Sequence, residues 1–274
     1  SSVDATFDGQ DHYVSGSILQ WCTVEYGGRN DASAVKMSDS SPFIDSCTIR
    51  DNASNGICIN APDDDLVITN NTISNNSLST PYEYNEGGAG IFAYSHSVTI
   101  SDNTITNNTC YFPACGGGIY IFFGSAVITD NTIANNLSGN LAGGVYAYSC
   151  TATISGNTII GNGAGTSGGG VCARSTVTIS NNSITGNSAG ERGGGIYAEG
   201  TVTIIGNTIT NNSSDDLGGG IHVYTNTAVI IDDNVFAGNS APKGGGIYVN
   251  PYTGGEVTIT HNEITGNNAT SSTG

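Results

Sequence analysis

Three ionisable side chains in the second half of the chain could carry acid–base chemistry. Arg174 and Glu199 are 25 residues apart, and His222 follows 23 residues later. A histidine or a carboxylate can take a proton from a bound substrate or return one, so these residues are the catalytic candidates if the protein is an enzyme. Two opposed carboxylates, which glycosidic hydrolysis requires, cannot be assigned around them. An ion pair between Arg174 and Glu199 is the simpler interpretation.

Aromatic residues form two further series, each at a fixed distance after a glycine-rich run. Both series lie on the side of a predicted strand opposite to its aliphatic residues. We therefore expect them to be exposed and to offer a binding surface for a sugar or a protein. The alternative is that the stacked rings stabilise the sheet through cross-strand pairs. The aromatic members are Phe92, Tyr120, Tyr146, Tyr197 and Tyr248 in the first series, and Tyr94, Phe122, Tyr148 and Tyr224 in the second.

A repeat of 25 to 28 residues positions all of these side chains. Each copy contains a glycine run, an Ile-Tyr-Ala segment, a Val-Thr-Ile segment and an Asn-Thr-Ile-Thr segment, with variations. Fixed periods of this size indicate a solenoid, in which each repeat buries its apolar face by stacking on its neighbours. Cys58, Cys172 and His222 fall in the first aromatic series, and Arg174 and Glu199 in the second. The aliphatic residue after the glycine run recurs at Ile91, Ile119, Val145, Val171, Ile196, Ile221 and Ile247.

Each repeat contains three short patterns in which inward apolar residues alternate with outward residues, as Ile196 and Ala198 do around Tyr197. No window shows a helical period. The sequence therefore predicts an all-β fold, a parallel β-helix of about ten rungs with three strands per rung. It forms a single domain over 1–274, in which 1–30 is an irregular first rung and 268–274 a tail or linker.

Two series of asparagines recur at the predicted bends. One runs from Asn71 to Asn262, and the other runs from Asn52 to Asn267. Asparagine tolerates left-handed backbone at a bend, and its amide can bond the rungs above and below. We expect both series to be structural ladders.

The glycine run, the Ile-Tyr-Ala and Val-Thr-Ile segments and the asparagine series together resemble the right-handed parallel β-helix repeat proteins. This superfamily includes pectate-lyase-like enzymes, NosD-like copper-maturation proteins and many bacterial and archaeal surface proteins. The resemblance covers nearly the whole chain and implies a right-handed coil, but the fold serves many functions. In pectate-lyase-like members the same face carries catalysis, with carboxylates that hold Ca²⁺ and an arginine base. Here that face offers Arg174, Glu199 and His222 without three carboxylates on adjacent rungs, and no copper site is visible.

The net charge of −17, with 6 basic residues, disfavours binding to nucleic acid. No apolar stretch approaches the roughly 18 residues of a membrane span, so membrane insertion is not expected. Acidic loops occur at 63–65, 215–216 and 232–233. One of them could bind Ca²⁺ weakly, although solvated acidic turns are the simpler interpretation. No other cofactor is predicted.

Seven cysteines form no metal-binding motif. Cys110 and Cys115 bracket an insert and could close it with a disulfide. In the two earliest rungs, Cys22 and Cys47 take the place of the first asparagine series. They form either a disulfide or a stack of two thiols. Because the number of cysteines is odd, at least one of them is a free thiol or is bonded to another chain.

Several Asn-x-Ser/Thr sequons are placed for exposure and are candidates for glycosylation. Together with a start at Ser1 that looks processed, they favour an extracellular or cell-surface location. The candidates are Asn75, Asn107, Asn181, Asn211 and Asn268.

The regular outer face and the ends of the coil favour a non-catalytic role. Residues 1–17 show no capping helix and the last rung shows no recognisable cap, so either the chain is a segment of a longer protein or its open strand edges associate with other copies. We expect an extracellular structural or adhesive protein whose partner is itself, a polysaccharide or both. Self-association would run head-to-tail or laterally and build a filament or surface layer. The alternative is a polysaccharide-active lyase, epimerase or hydrolase that uses the aromatic outer face.

Overall fold

A computed structural model describes residues 6–7, 13–27, 33–40, 42–79, 87–111, 115–251 and 254–271. Every regular element among these residues is a β-strand. The strands coil into a solenoid with three parallel sheets, the clearest of which has ten strands and so about nine complete turns. The all-β parallel β-helix predicted from the sequence is confirmed. No helix in the described part has the length and apolar character needed to cross a membrane.

The largest sheet, sheet 1, has 15 strands and contains the first two strand patterns of the repeat. In rungs such as Val145–Ser155 the two patterns form one continuous strand. The left-handed backbone of Ser149 shifts the alternation by one residue, so Val145 and Ala147 face the core before it and Ala152 and Ile154 after it. The strands are Ile18–Gln20, Val35–Ser38, Phe43–Asp45, Ile57–Thr69, Ile91–Ser101, Ile119–Phe122, Ser125–Thr129, Val145–Ser155, Val171–Ser180, Ile196–Ala198, Val202–Ile205, Ile221–Thr225, Ala228–Asp232, Ile247–Pro251 and Glu256–Thr260.

The ten-stranded sheet, sheet 2, contains the Asn-Thr-Ile-Thr segments, and its parallel pairing places equivalent residues of successive rungs side by side. Its inward isoleucines, except Ile264 in the last rung, are fully buried, and in strands such as Thr104–Thr106 they lie between outward threonines as the alternation predicts. The strands are Thr23–Glu25, Thr48–Arg50, Thr72–Ser74, Thr104–Thr106, Thr132–Ala134, Thr158–Ile160, Ser183–Thr185, Thr208–Thr210, Val235–Ala237 and Glu263–Thr265.

The eight-stranded sheet, sheet 3, follows the second asparagine series and consists of two-residue strands. The sequence does not predict this sheet, because two residues are too few to show an alternation. The strands are Ser77–Leu78, Thr109–Cys110, Leu137–Ser138, Gly163–Ala164, Ser188–Ala189, Ser213–Ser214, Ser240–Ala241 and Asn268–Ala269. Near the N-terminus, Thr6–Phe7 and Tyr13–Ser15 form a separate antiparallel pair.

The asparagine ladders are present and join the rungs through their amides. Asn103 is representative: its Nδ2 donates to the carbonyls of Ile68 and Ser101 at 2.9 and 2.8 Å, and to Oδ1 of Asn131 at 3.0 Å. Its backbone N–H donates to the same Oδ1 at 2.9 Å. The left-handed backbone lies one residue before the ladder asparagine, as at Asp102 with φ of 56°. The ladders therefore satisfy buried backbone groups, and the preceding residue makes the bend.

Candidate functional site

The first aromatic series is buried, and the expectation that it is exposed is wrong. Phe92, Tyr120, Tyr146 and Tyr197 are at most 5% exposed, and only Tyr248 in the last rung is half-buried. Cys58 and Cys172, which share the series, are fully buried as well. These side chains do point away from the main core, as predicted, and form a second apolar cluster on the other side of sheet 1.

The chain segment before each glycine run covers this second cluster. In this segment, one residue per rung pairs with its counterpart in the next rung as an isolated bridge. These residues are Leu141, Ser167, Arg192, Leu217 and Lys243. Left-handed glycines then turn the chain into sheet 1. A Cβ added at Gly168 would lie 2.7 Å from Cβ of Cys172, so the backbone passes directly over the buried row.

The second aromatic series is half-exposed and stays available as a surface. The rings of Tyr94 and Phe122 have centres 5.5 Å apart, and those of Phe122 and Tyr148 are stacked at 5.8 Å. Tyr148 is 39% exposed, and the neighbouring Phe123, at 52%, extends the patch. Tyr224 is half-buried in the same series. We call Tyr94, Phe122 and Tyr148 the aromatic strip.

Arg174 and Glu199 continue the aromatic strip and form the ion pair that the sequence predicted. The Nε of Arg174 lies 2.8 Å from Oε2 of Glu199. The hydroxyl of Tyr197 donates to the same carboxylate at 3.1 Å, and the guanidinium lies 5.9 Å from the ring centre of Tyr148. Burial disfavours the charged guanidinium, but the hydrogen bond and charge of Glu199 outweigh burial and raise the pKa of Arg174. An arginine held in its charged form is a poor proton acceptor.

His222 does not share this surface, because it belongs to the buried first series. It is 1% exposed, and its ring lies between those of Tyr197 and Tyr248, with centres 5.4 Å away on each side. Neither ring nitrogen has a hydrogen-bond partner among the described residues. Burial, with a smaller contribution from the charge of Arg192, lowers the pKa of His222 to about 4. The three catalytic candidates are therefore split between a half-buried ion pair and a buried neutral imidazole.

The cysteines divide into one disulfide and five thiols. The predicted Cys110–Cys115 disulfide is present. Cys22 and Cys47 are thiols, so of the two alternatives the structure has the stacked thiols and not the disulfide. Cys150 is buried and packs in the main core.

No group of three or more His, Cys, Asp or Glu side chains in the described part is arranged to hold a metal ion. The side chains of Asp63 and Asp64 lie outside the described residues. Asp232 accepts hydrogen bonds from Thr260 and His261, each at 2.7 Å, and these lower its pKa. Weak Ca²⁺ binding stays a prediction.

The five glycosylation candidates are all exposed. Four of them occupy the left-handed corner between sheets 2 and 3, where the side chain points away from the coil. The candidates at this corner are Asn75, Asn107, Asn181 and Asn211. Glycosylation itself stays a prediction.

Comparison with protein families agrees with this architecture. The chain matches the family described as right handed beta helix region over residues 6–165 and 117–273. Because these two overlapping matches cover nearly the whole chain, the protein belongs to the right-handed β-helix family. Neither the comparison with curated proteins nor the comparison with solved structures gave a match. The family establishes the coil and its hand and leaves the activity open, since one such scaffold carries many functions.

Proposed function

We propose that the chain is a non-catalytic extracellular structural protein whose rods associate end-to-end, with the aromatic strip as an adhesive surface. One observation carries the assembly. Ile259 and Ile264 face the core of the last rung and are 42% and 51% exposed. Their counterparts one rung earlier, Ile231 and Phe236, are fully buried. Within the described residues, the C-terminal end therefore presents a cross-section of apolar core rimmed by open strand edges.

The opposite end offers a surface of the same kind. Leu19 and Val24, in the first strands of sheets 1 and 2, pack on the core but are only half-buried, whereas their counterparts Ile44 and Ile49 one rung later are fully buried. Among the described residues, the first and last strands of sheets 1 and 2 thus each have one unpaired edge. The N-terminal rung of a second copy fits the C-terminal end, and such a head-to-tail contact repeats along a line.

Two lysines at the C-terminal end test the assembly. We expect the wild-type chain to form linear oligomers whose length grows with concentration, and Ile259→Lys with Ile264→Lys to stay monomeric, because charge cannot be buried in the contact. The matched control, Thr153→Lys with Thr158→Lys, places the same charges on exposed positions of a middle rung and should assemble like wild type. Sedimentation velocity and electron microscopy give the readout. A wild-type chain that is monomeric at every concentration, or an end variant that assembles normally, contradicts the proposal.

The aromatic strip supports a polysaccharide as the second partner. Tyr94, Phe122 and Tyr148 present ring faces and edges in a row parallel to the axis of the coil, and such amphipathic rings can pack on the apolar face of a sugar. We expect soluble acidic and neutral glycans to change tyrosine fluorescence and Tyr148→Ala to weaken that binding roughly tenfold. Tyr111→Ala is the control, since Tyr111 is 64% exposed and outside the strip. Glycan panels that leave the fluorescence of wild type unchanged would remove this role.

A further inference from the structure

The first asparagine ladder has two thiols at its N-terminal end. The Sγ of Cys47 donates to the carbonyls of Leu19 and Asp45 at 3.4 and 3.3 Å. These carbonyls hold the same positions in their rungs as the two that Nδ2 of Asn71 bonds one rung later. The thiol therefore replaces the donor of the amide. A thiol has no oxygen that could accept a hydrogen bond as the asparagine Oδ1 does. In this ladder, the hydrogen bond from each rung to the Oδ1 of the next is therefore missing between the first two rungs.

Cys22 and Cys47 face each other across this gap. The strands Thr23–Glu25 and Thr48–Arg50 pair in parallel with Thr23 opposite Thr48, which places Cys22 opposite Cys47. The Sγ of Cys22 donates to the carbonyl of Gln20 at 3.2 Å, as the Sγ of Cys47 does to the equivalent carbonyl of Asp45, so the two thiols take the same orientation in adjacent rungs. Neighbouring strands lie about 4.8 Å apart, inside the range of Cα separations that a disulfide spans.

Two polar side-chain pairs hold the same two rungs in register. Nε2 of Gln20 donates to Asp45 at 2.6 Å, and Arg50 forms an ion pair with Glu25 at 2.8 Å. They lie on either side of the cysteines along the chain. The thiols can therefore approach each other without a shift of the strands.

We propose that Cys22 and Cys47 are a cross-linking site, in which oxidation by a small or protein disulfide fastens the first rung of the coil to the second. The thiolate of Cys22 attacks one sulfur of the reagent and releases a thiol, which leaves a mixed disulfide on Cys22. The thiolate of Cys47 then attacks the Cys22 sulfur and releases the second thiol. Two protein thiols are oxidised, the reagent disulfide is reduced to two thiols, and the two protons pass to these leaving groups.

Exposure fixes the order of the two attacks. Cys22 is half-buried and reachable from solvent, whereas Cys47 is 2% exposed. Burial also raises the pKa of the Cys47 thiol, which disfavours its thiolate. Cys22 is therefore the entry point and Cys47 the residue that resolves the mixed disulfide.

Mass spectrometry can read the bond directly. The chain is incubated with oxidised glutathione, alkylated and digested with trypsin, which separates the two cysteines by cleavage after Arg29, Lys36 and Arg50. We expect a species that joins peptides 1–29 and 37–50 and disappears on reduction. Recovery of both peptides alkylated and separate, while Cys110–Cys115 stays oxidised, would overturn the proposal. A link from Cys22 to a second copy would overturn it too.

A second measurement compares the oxidised and reduced wild-type protein, so it does not depend on a variant that folds. In the oxidised wild type, amide hydrogen exchange over residues 18–25 should be slower than in the reduced protein by about tenfold or more, because the bond restrains opening of the first rung. Cys22→Ser and Cys47→Ser should show no dependence on oxidation, and Cys150→Ser should behave like wild type. Equal exchange in the oxidised and reduced wild type would overturn the structural effect of the bond.

Discussion

Buried polar residues follow two different patterns in this molecule. The ladder asparagines are almost fully buried, and those of the middle rungs have both amide atoms in hydrogen bonds, so each contributes to the fit between rungs. His222 is equally buried but neither of its ring nitrogens is bonded within the described residues. It fills a position that Tyr197 and Tyr248 fill in adjacent rungs. The imidazole acts there as an apolar ring, which holds only while it is neutral.

The burial of His222 predicts a loss of stability in acid. The folded pKa of about 4 lies below the ordinary value of 6.5, so the stability tied to the neutral ring is fully present above pH 6.5 and is lost as the pH falls to about 4. The shift corresponds to about 3 kcal/mol of unfolding free energy. The groups that face the ring are the Tyr197 and Tyr248 side chains and the charge of Arg192, and none of them accepts a proton from it in this range.

His222→Tyr is the matched variant, since it restores the residue that its neighbours in the series carry. We expect the difference in unfolding free energy between wild type and His222→Tyr, measured by urea denaturation, to widen by about 3 kcal/mol between pH 7 and pH 4. The acid sensitivity of the carboxylates cancels in this comparison because both proteins share them. A difference that does not change with pH would show that the ring is hydrated in solution.

The strand after each glycine run shows what the sequence can and cannot predict. Alternation correctly placed Ile196 and Ala198 in the core and Tyr197 on the opposite side of sheet 1. It also predicted the Arg174–Glu199 pair, because equivalent positions of adjacent rungs must be neighbours. The alternation did not predict how exposed Tyr197 is. Its exposure depends on the covering segment before the glycine run, which pairs from rung to rung through single residues such as Arg192. A single residue carries no period, so nothing in the pattern revealed that cover.

The thiols of Cys22 and Cys47 illustrate a second limit. Their place in the ladder follows from the repeat, yet the repeat is equally compatible with a disulfide and with stacked thiols. Side-chain geometry decides between the two, through the carbonyls to which Cys47 donates. The sequence therefore predicts that the two cysteines are stacked in adjacent rungs, but it does not predict whether they are thiols or a disulfide.

On the scale of the whole molecule, stability is a sum over rungs and over contacts between neighbouring rungs. A middle rung contacts two neighbours, whereas an end rung contacts one. Ile154, in a middle rung, is fully buried, and Ile259, at the equivalent position of the last rung, is 42% exposed. The net charge of −17 lies almost entirely in residues 1–86 and 191–274, so it adds repulsion between the ends of two copies.

Alanine at these two equivalent positions should therefore have unequal effects. In dilute solution we expect Ile154→Ala to lower the free energy of unfolding by about 2–5 kcal/mol, because it leaves a cavity in a closed core. Ile259→Ala should cost less than about 1 kcal/mol, since much of that side chain already meets water. Urea denaturation followed by circular dichroism gives both values.

If rods join at this end, the cost of Ile259→Ala should rise with protein concentration while that of Ile154→Ala stays constant, because association stabilises only the wild-type end contact. Equal costs in dilute solution would mean that the last rung is closed by something other than a second copy.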